Sequence, residues 1–158
     1  MKAVIAKQPG TTDVLELVDI EPAELQAGEV KVNVKAFGLN KAESYYRSGN
    51  YGVFVANQAI GIEAVGEVVS DPSGQFHIGQ KVATVMGGMM FGRHGSHAEF
   101  INVLASNVVA IDSELPYREL AALPEVYLTV WGALDKNLQI SQGESLLIRG
   151  ATSGLGMA

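Results

Sequence analysis

The chain has 158 residues, of which 47% are hydrophobic and 18% are charged, a composition that is ordinary for a folded globular protein. Its net charge of −6, without any run of lysines or arginines, argues against nucleic acid and anionic membranes as partners. It contains no cysteine, which excludes a disulfide framework, a cysteine nucleophile and thiolate zinc sites. No apolar stretch approaches the roughly 20 residues of a membrane-spanning helix.

Short strands separated by glycine and proline turns are predicted over the first hundred or so residues. Glu29–Ala36 alternates valines and alanine with lysine and asparagine, which is typical of a half-buried strand. Asn40 is predicted to cap a short helix, with Glu43 as its capping-box partner and Gly49 as the stop. The other predicted strands are Lys2–Ala6, Leu15–Asp19, Ile60–Val69, Lys81–Met86, His97–Val103 and Val108–Ile111. This pattern favours a barrel or a sandwich.

After Pro116 the pattern changes to helical spacing over Tyr117–Leu123 and Glu125–Leu134, with Pro124 separating the two helices or kinking one. We therefore predict one domain over residues 1–123 and the start of a second over residues 124–158.

The second part holds an apolar run, Leu146–Ile148, followed by Gly150-x-x-x-Gly154-x-Gly156 and a helix-compatible segment. A strand that feeds such a turn presents main-chain N–H groups and a helix N-terminus to a pyrophosphate. Taken alone the glycine motif is a weak signal, and a purely structural turn is its alternative. In short-chain dehydrogenases the same spacing lies near the N-terminus, whereas here some 140 residues of β-rich sequence come before it.

The order of motifs resembles the medium-chain dehydrogenase/reductase superfamily, in which a GroES-like barrel precedes a nucleotide-binding Rossmann domain. Within it the chain looks most like the zinc-independent quinone oxidoreductases, including zeta-crystallin. The motifs that carry the resemblance are Val34–Asn40, Tyr45–Tyr51, Gly61–Val68, Gly79–Ala83, Gly95–Phe100 and Ala121–Pro124. The resemblance implies a mainly β chain with an α/β end: a GroES-like β-barrel followed by the truncated start of a Rossmann domain.

A catalytic zinc is not expected. The zinc-binding alcohol dehydrogenases carry a Cys at the position of Asn40 and a His at the position of Ile62, and neither an amide nor a hydrocarbon replaces those ligands well. The histidines are too scattered to suggest a metal site, and His94 could border the substrate mouth. Glu63 lies in an apolar strand, where a carboxylate must be paired or raised in pKa, and a structural role is favoured for it.

The resemblance implies hydride transfer from NADPH to a quinone or another electron-poor alkene or carbonyl, with the protein supplying position and polarisation. The candidate catalytic residues are Asn40, Tyr45 and Tyr51, whose alternatives are a simple helix cap and cleft-edge packing. Arg47 could add positive charge or simply close the barrel. The candidate cofactor-binding residues are Asn40, Thr129, Gly154, Leu155 and Gly156. The alternative for Thr129 is a hydroxyl bonded to the helix carbonyl four residues back.

Two other functions stay open: an enoyl or alkenal reductase of the same superfamily, and a non-catalytic GroES-like binding or structural module. We expect an N-terminal fragment that is inactive alone and binds NADPH feebly at best. The complete enzyme is expected to be a cytoplasmic homodimer with a small-molecule quinone or enone substrate, and its NADP preference rests on the subfamily alone.

Overall fold

The computed structural model describes residues 1–158 and contains two antiparallel sheets joined by short turns. The strands are β1 (Lys2–Ala6), β2 (Leu15–Asp19), β3 (Glu29–Ala36), β4 (Gln58–Ala59), β5 (Glu63–Ser70), β6 (Lys81–Val85), β7 (Phe100–Leu104) and β8 (Val108–Ala110). The helices are α1 (Lys41–Arg47), α2 (Tyr117–Leu120), α3 (Pro124–Trp131) and α4 (Gly154–Met157). Short 3-10 turns cover Thr12–Val14 and Ala105–Asn107, and α3 continues into a π-helical segment, Gly132–Leu138.

The two sheets curl into a half-barrel. One has the strand order β2-β1-β4, and the other has the order β7-β3-β5-β6-β8. The segment before β7 connects them: the Val4 N–H donates to the His97 carbonyl at 2.8 Å, and the Val34 N–H donates to the Glu99 carbonyl at 2.9 Å. The predicted mainly β class is therefore confirmed.

The largest apolar cluster lies inside the five-stranded sheet, because alternate residues of its strands point to one face. Val30 and Val32 of β3 are fully buried there, as their alternation predicts. Ala36 packs instead against a second cluster around Val65, since a register shift between Val34 and Ala36 turns the end of the strand.

The strand predicted at Leu146–Ile148 is wrong. These residues belong to no strand and are exposed, Leu147 to 93%. A strand needs a neighbour to accept and donate its main-chain hydrogen bonds, and no strand of either sheet pairs with this run. The turn that follows and its helix are present, as α4.

Boundaries of other elements differ by a few residues. The strand predicted from His97 begins at Phe100, the strand predicted from Ile60 begins at Glu63, and the helix predicted over Glu125–Leu134 is α3 followed by the π-helical segment. None of the helices has the length and hydropathy needed to span a lipid bilayer.

Candidate functional site

The N-terminus of α1 carries the first candidate residue. Asn40 has extended backbone dihedrals at the N-cap, and its main-chain N–H donates to Glu43 Oε2 at 2.9 Å. Glu43 Oε1 in turn accepts the Ile62 N–H at 3.2 Å, from the turn that leads into β5. The predicted capping box is thus present. Glu43 also does more than cap the helix, because it ties α1 to the strand beside it.

A second glutamate binds the Asn40 side chain. The Asn40 amide donates from Nδ2 to Glu63 Oε1 at 2.7 Å, and the main-chain N–H of Glu125 donates to Glu63 Oε2 at 2.8 Å. Glu63 is only 3% exposed. Its carboxylate therefore joins the cap of α1 to the first turn of α3, where a negative charge is favoured by the helix dipole.

Gly38 is required by this arrangement. A Cβ on Gly38 would lie 2.8 Å from Glu63 Cδ and 3.1 Å from the Ala121 carbonyl oxygen. The main chain before Asn40 can pass over the carboxylate only because no side chain is present there.

His97 lies behind the two glutamates. Its ring is 8% exposed and stacks on Phe37 with centroids 4.2 Å apart. The Nε2 atom has no hydrogen-bond partner and lies 3.7 Å from Glu43 Oε1, which is beyond hydrogen-bond distance. Burial lowers the pKa of His97 from its ordinary 6.5 to about 4, so the imidazole is neutral at pH 7. The Glu43 carboxyl already accepts two main-chain N–H groups. The two side chains are therefore a neutral ring beside a hydrogen-bonded carboxyl and not an ion pair.

The site is rich in carboxyl groups. Burial raises the pKa of Glu43 above its ordinary 4.5, and the charge of Glu63 adds to this. Burial likewise raises the pKa of Glu125, again with a contribution from Glu63. Three carboxyl groups, those of Glu43, Glu63 and Glu125, are therefore close enough to influence one another beside Asn40.

One candidate tyrosine lies on α1 and the other lies just beyond it, and both are exposed. Tyr45 is 49% exposed, with the Lys41 ammonium 5.3 Å from its ring centroid. Tyr51 is 45% exposed and meets the ring of Phe91 edge-on at 5.5 Å. No hydrogen bond is formed by either hydroxyl, whereas the hydroxyl of the buried neighbour Tyr46 accepts the Val55 N–H. Both phenols are free to meet a ligand.

Thr129 lies one turn along α3 from Glu125. Its hydroxyl donates to Glu125 Oε1 at 3.2 Å, and not to the carbonyl four residues back that was its alternative. The structure thereby links Asn40 to Thr129 through two glutamates: Asn40 to Glu63, Glu63 to the main chain of Glu125, and the Glu125 side chain to Thr129.

The glycine turn precedes α4, which lies beside α3. The Ser153 hydroxyl caps α4 by accepting the Gly156 N–H at 3.1 Å, while the N–H groups of Gly154 and Leu155 donate no hydrogen bond within the chain. A Cβ on Gly156 would lie 2.6 Å from Ala151 Cα, so the turn closes only around glycine. Two free N–H groups at a helix start suit an anionic oxygen.

The position that holds histidine in zinc enzymes is apolar here. Ile62 is 2% exposed and packs with Tyr46, Ile60 and Met90. No group of three or more His, Cys, Asp or Glu side chains is arranged to hold a metal ion.

Sequence reasoning missed how central the glutamates are. Glu43 was predicted only as a capping partner, Glu63 as structural, and Glu125 and His97 were given no role in the site. The one sequence feature that indicates this arrangement is Glu63, an acidic residue inside an apolar strand. Its partners come from residues 23 and 62 positions away, which no local pattern indicates.

Several known proteins are similar to this chain in sequence or in fold. Residues 26–113 match the alcohol dehydrogenase GroES-like domain family. The chain belongs to this family. Its GroES-like domain lies within a segment similar to a quinone oxidoreductase of Pseudomonas aeruginosa, 31% identical over 150 residues, which covers 94% of this chain and 45% of the relative. It is also similar to a phenolphthiocerol/phthiocerol polyketide synthase of Mycobacterium tuberculosis, 35% identical over 154 residues, or 96% of this chain and 7% of that protein.

Among solved structures, the Escherichia coli quinone oxidoreductase complexed with NADPH superposes with a TM-score of 0.88 at 26% identity, covering 99% of this chain and 47% of that one. The resemblance to quinone oxidoreductases of the medium-chain superfamily is confirmed, and the GroES-like fold with it. The chain spans less than half the length of these relatives.

Proposed function

We propose that these residues form the substrate side of a zinc-independent oxidoreductase that transfers a hydride from NADPH to a quinone or a related electron-poor alkene or carbonyl compound. The observation that carries the proposal is the Asn40 amide, partly exposed at the cap of α1 and held there by Glu63. We assign residues 1–123 to the substrate-side domain and residues 124–158 to the start of the cofactor domain. The family resemblance further favours a cytoplasmic homodimer.

The cofactor would be held by the turn before α4. The free N–H groups of Gly154 and Leu155 suit the pyrophosphate, and Gly156 lets the turn close. Thr129 on the neighbouring helix would face the ribose. When bound, NADPH supplies the hydride, and the protein's part is to place and to polarise the acceptor.

Asn40 has one side-chain N–H left after its bond to Glu63. We propose that it donates to the acceptor oxygen as negative charge develops there, the kind of contact whose loss costs about 100-fold or more in rate. Tyr45 and Tyr51, whose hydroxyls are unbonded, would donate to the second oxygen of a quinone or stack on its ring.

The reaction is tested on the protein expressed at the full length that its gene encodes. We expect NADPH oxidation with 1,4-benzoquinone, and a fall in kcat of about 100-fold in Asn40→Ala. Asn50→Ala, which alters an exposed asparagine beyond α1, is the matched control and should keep wild-type kcat. Equal activity in both variants would contradict the role of Asn40.

Independence from zinc has its own test. Prolonged treatment with EDTA and 1,10-phenanthroline should leave activity unchanged, because Ile62 and the Asn40 amide are poor zinc ligands. Activity that is lost on chelation and restored by zinc alone would refute this part of the proposal.

NADPH binding is tested on the 158-residue chain by ¹⁵N NMR titration. Shifts should be confined to the turn at Gly154–Gly156 and to Thr129 and Asn40, with weak affinity. Chemical-shift changes elsewhere in the chain, with none in the turn, would contradict the proposed cofactor site. If neither the 158-residue chain nor the protein expressed at its full encoded length binds a nucleotide or reduces a substrate, the alternative of a non-catalytic GroES-like module would be supported.

A second candidate function is reduction of an enoyl or alkenal substrate. The similarity to a polyketide synthase favours an α,β-unsaturated thioester as the acceptor. In such an acceptor a single carbonyl oxygen gains the charge, so Asn40 would matter as much but the tyrosines less. Side-by-side kcat/KM values for benzoquinone and crotonyl thioester, in wild type and Tyr51→Phe, separate the two functions.

A further inference from the structure

Glu63 is buried between two parts of the chain that the proposed function uses for different tasks. One carboxylate oxygen accepts the Asn40 side-chain amide at 2.7 Å, and the other accepts the Glu125 main-chain N–H at 2.8 Å. Both oxygens act as acceptors, which is the pattern of an ionised carboxylate. No Lys or Arg pairs with it in the structure.

This contact decides which way the Asn40 amide points. An ionised carboxylate can only accept, so Nδ2 and not Oδ1 must face Glu63. The Glu63 carboxylate therefore holds the amide in this orientation, and one N–H of the amide is left for a ligand.

The second carboxylate oxygen of Glu63 binds the main chain at the start of α3. Glu125 is in the first turn of α3, and its side chain accepts the hydroxyl of Thr129. There is no room for a side chain at position 38 beside the Glu63 carboxylate, because a Cβ on Gly38 would lie 2.8 Å from Glu63 Cδ. Through its two oxygens Glu63 thus sets the spacing between Asn40 and the start of α3.

We infer that Glu63 is a positioning residue: it orients the Asn40 amide and anchors the helix that carries Thr129, so that acceptor and cofactor meet in register. The inference rests on the proposed function for its catalytic meaning. Its geometric content stands apart from any activity and can be tested alone.

The test compares Glu63→Gln with Glu67→Gln, the same change on the same strand at a partly exposed site away from the cleft. A glutamine at 63 has one acceptor oxygen and cannot satisfy both donors. We expect the exchange of the Glu125 N–H with solvent deuterium, or the exchange of the Asn40 side-chain protons, to speed up about tenfold, as for loss of one hydrogen bond. Glu67→Gln should leave both rates unchanged, and a folded Glu63→Gln chain with wild-type rates at both sites would overturn the inference.

If Glu63→Gln does not fold, the wild-type chain decides. Slow exchange of the Glu125 N–H, together with a nuclear Overhauser effect between the Asn40 Nδ2 protons and the Glu63 side chain, supports the contact. The absence of both refutes it.

At the full encoded length, Glu63→Gln should lower kcat for quinone at least about tenfold while KM stays within about threefold, because a misdirected amide affects the transition state more than binding. A protein without quinone activity would refute the proposed function and leave the exchange result standing. Altered exchange with unchanged kcat would instead refute the positioning role.

Discussion

The burial of His97 should make the folded chain less stable in mild acid. Its pKa is lowered to about 4 by burial in the folded chain, against 6.5 when the chain is unfolded. Between these values the unfolded chain binds a proton that the folded chain does not, so stability is full above pH 6.5 and falls as the pH drops towards 4. Each pH unit inside that window costs about 1.4 kcal/mol, so lowering the pH from 7.5 to 5.0 costs about 2 kcal/mol.

The assay is urea unfolding at pH 7.5 and 5.0 for wild type, His97→Gln and His77→Gln. Glutamine at 97 does not titrate, so its stability should fall by about 2 kcal/mol less than that of wild type over this range. The carboxyl groups titrate in all three proteins and largely cancel in the comparison. His77 is exposed, and its variant should follow the wild type.

The reasoning would be refuted by parallel pH dependence in wild type and His97→Gln. A His97 titration midpoint near 6.5 by NMR would refute it independently. Protonation that instead stabilised the fold in acid would mean that His97 forms a true ion pair with Glu43 across the 3.7 Å that separates them.

Three further predictions concern single contacts. Gly61→Ala should lower the free energy of unfolding in urea by about 3 kcal/mol or more, because Gly61 has a φ of +109° and a Cβ there would lie 2.8 Å from a main-chain nitrogen. The control Gly92→Ala, which has open space around it, should have an unfolding free energy within about 0.5 kcal/mol of wild type. Spectrophotometric titration should show a tyrosine that ionises near pH 12, since burial and its hydrogen bond to Glu67 raise the pKa of Tyr117 to about 12. Tyr117→Phe should abolish this ionisation step. A step that persists in the variant would show that it belongs to another tyrosine. Gly156→Ala should speed deuterium exchange over residues 150–157 without changing the melting temperature, because its Cβ would meet the preceding turn in an exposed segment; unchanged exchange would contradict the tight turn.

Much of the fold could be predicted because its signals are local. The alternation in Glu29–Ala36 identifies a strand and its buried face, since side chains on a strand point to opposite sides in turn. Asn40, Glu43 and Gly49 indicate the start and end of α1 within ten residues. The ordered motifs indicate a GroES-like domain, and the match over residues 26–113 confirms it.

The prediction that failed concerns a feature that depends on residues distant in the chain. Leu146–Ile148 has the composition of a strand but lies in none, because hydrogen bonding across a sheet needs a second strand and none of those present pairs with it. Composition cannot say whether such a partner is available.

The candidate site divides in the same way. The sequence by itself singled out Asn40 and flagged Glu63 as an acid in an apolar strand, because residue type and local spacing are enough for both. Only the tertiary structure decided that Glu63 holds the Asn40 amide with one oxygen and the start of α3 with the other. Hydrogen bonds between residues dozens of positions apart are set by how strands and helices pack, and a one-dimensional pattern does not record that packing.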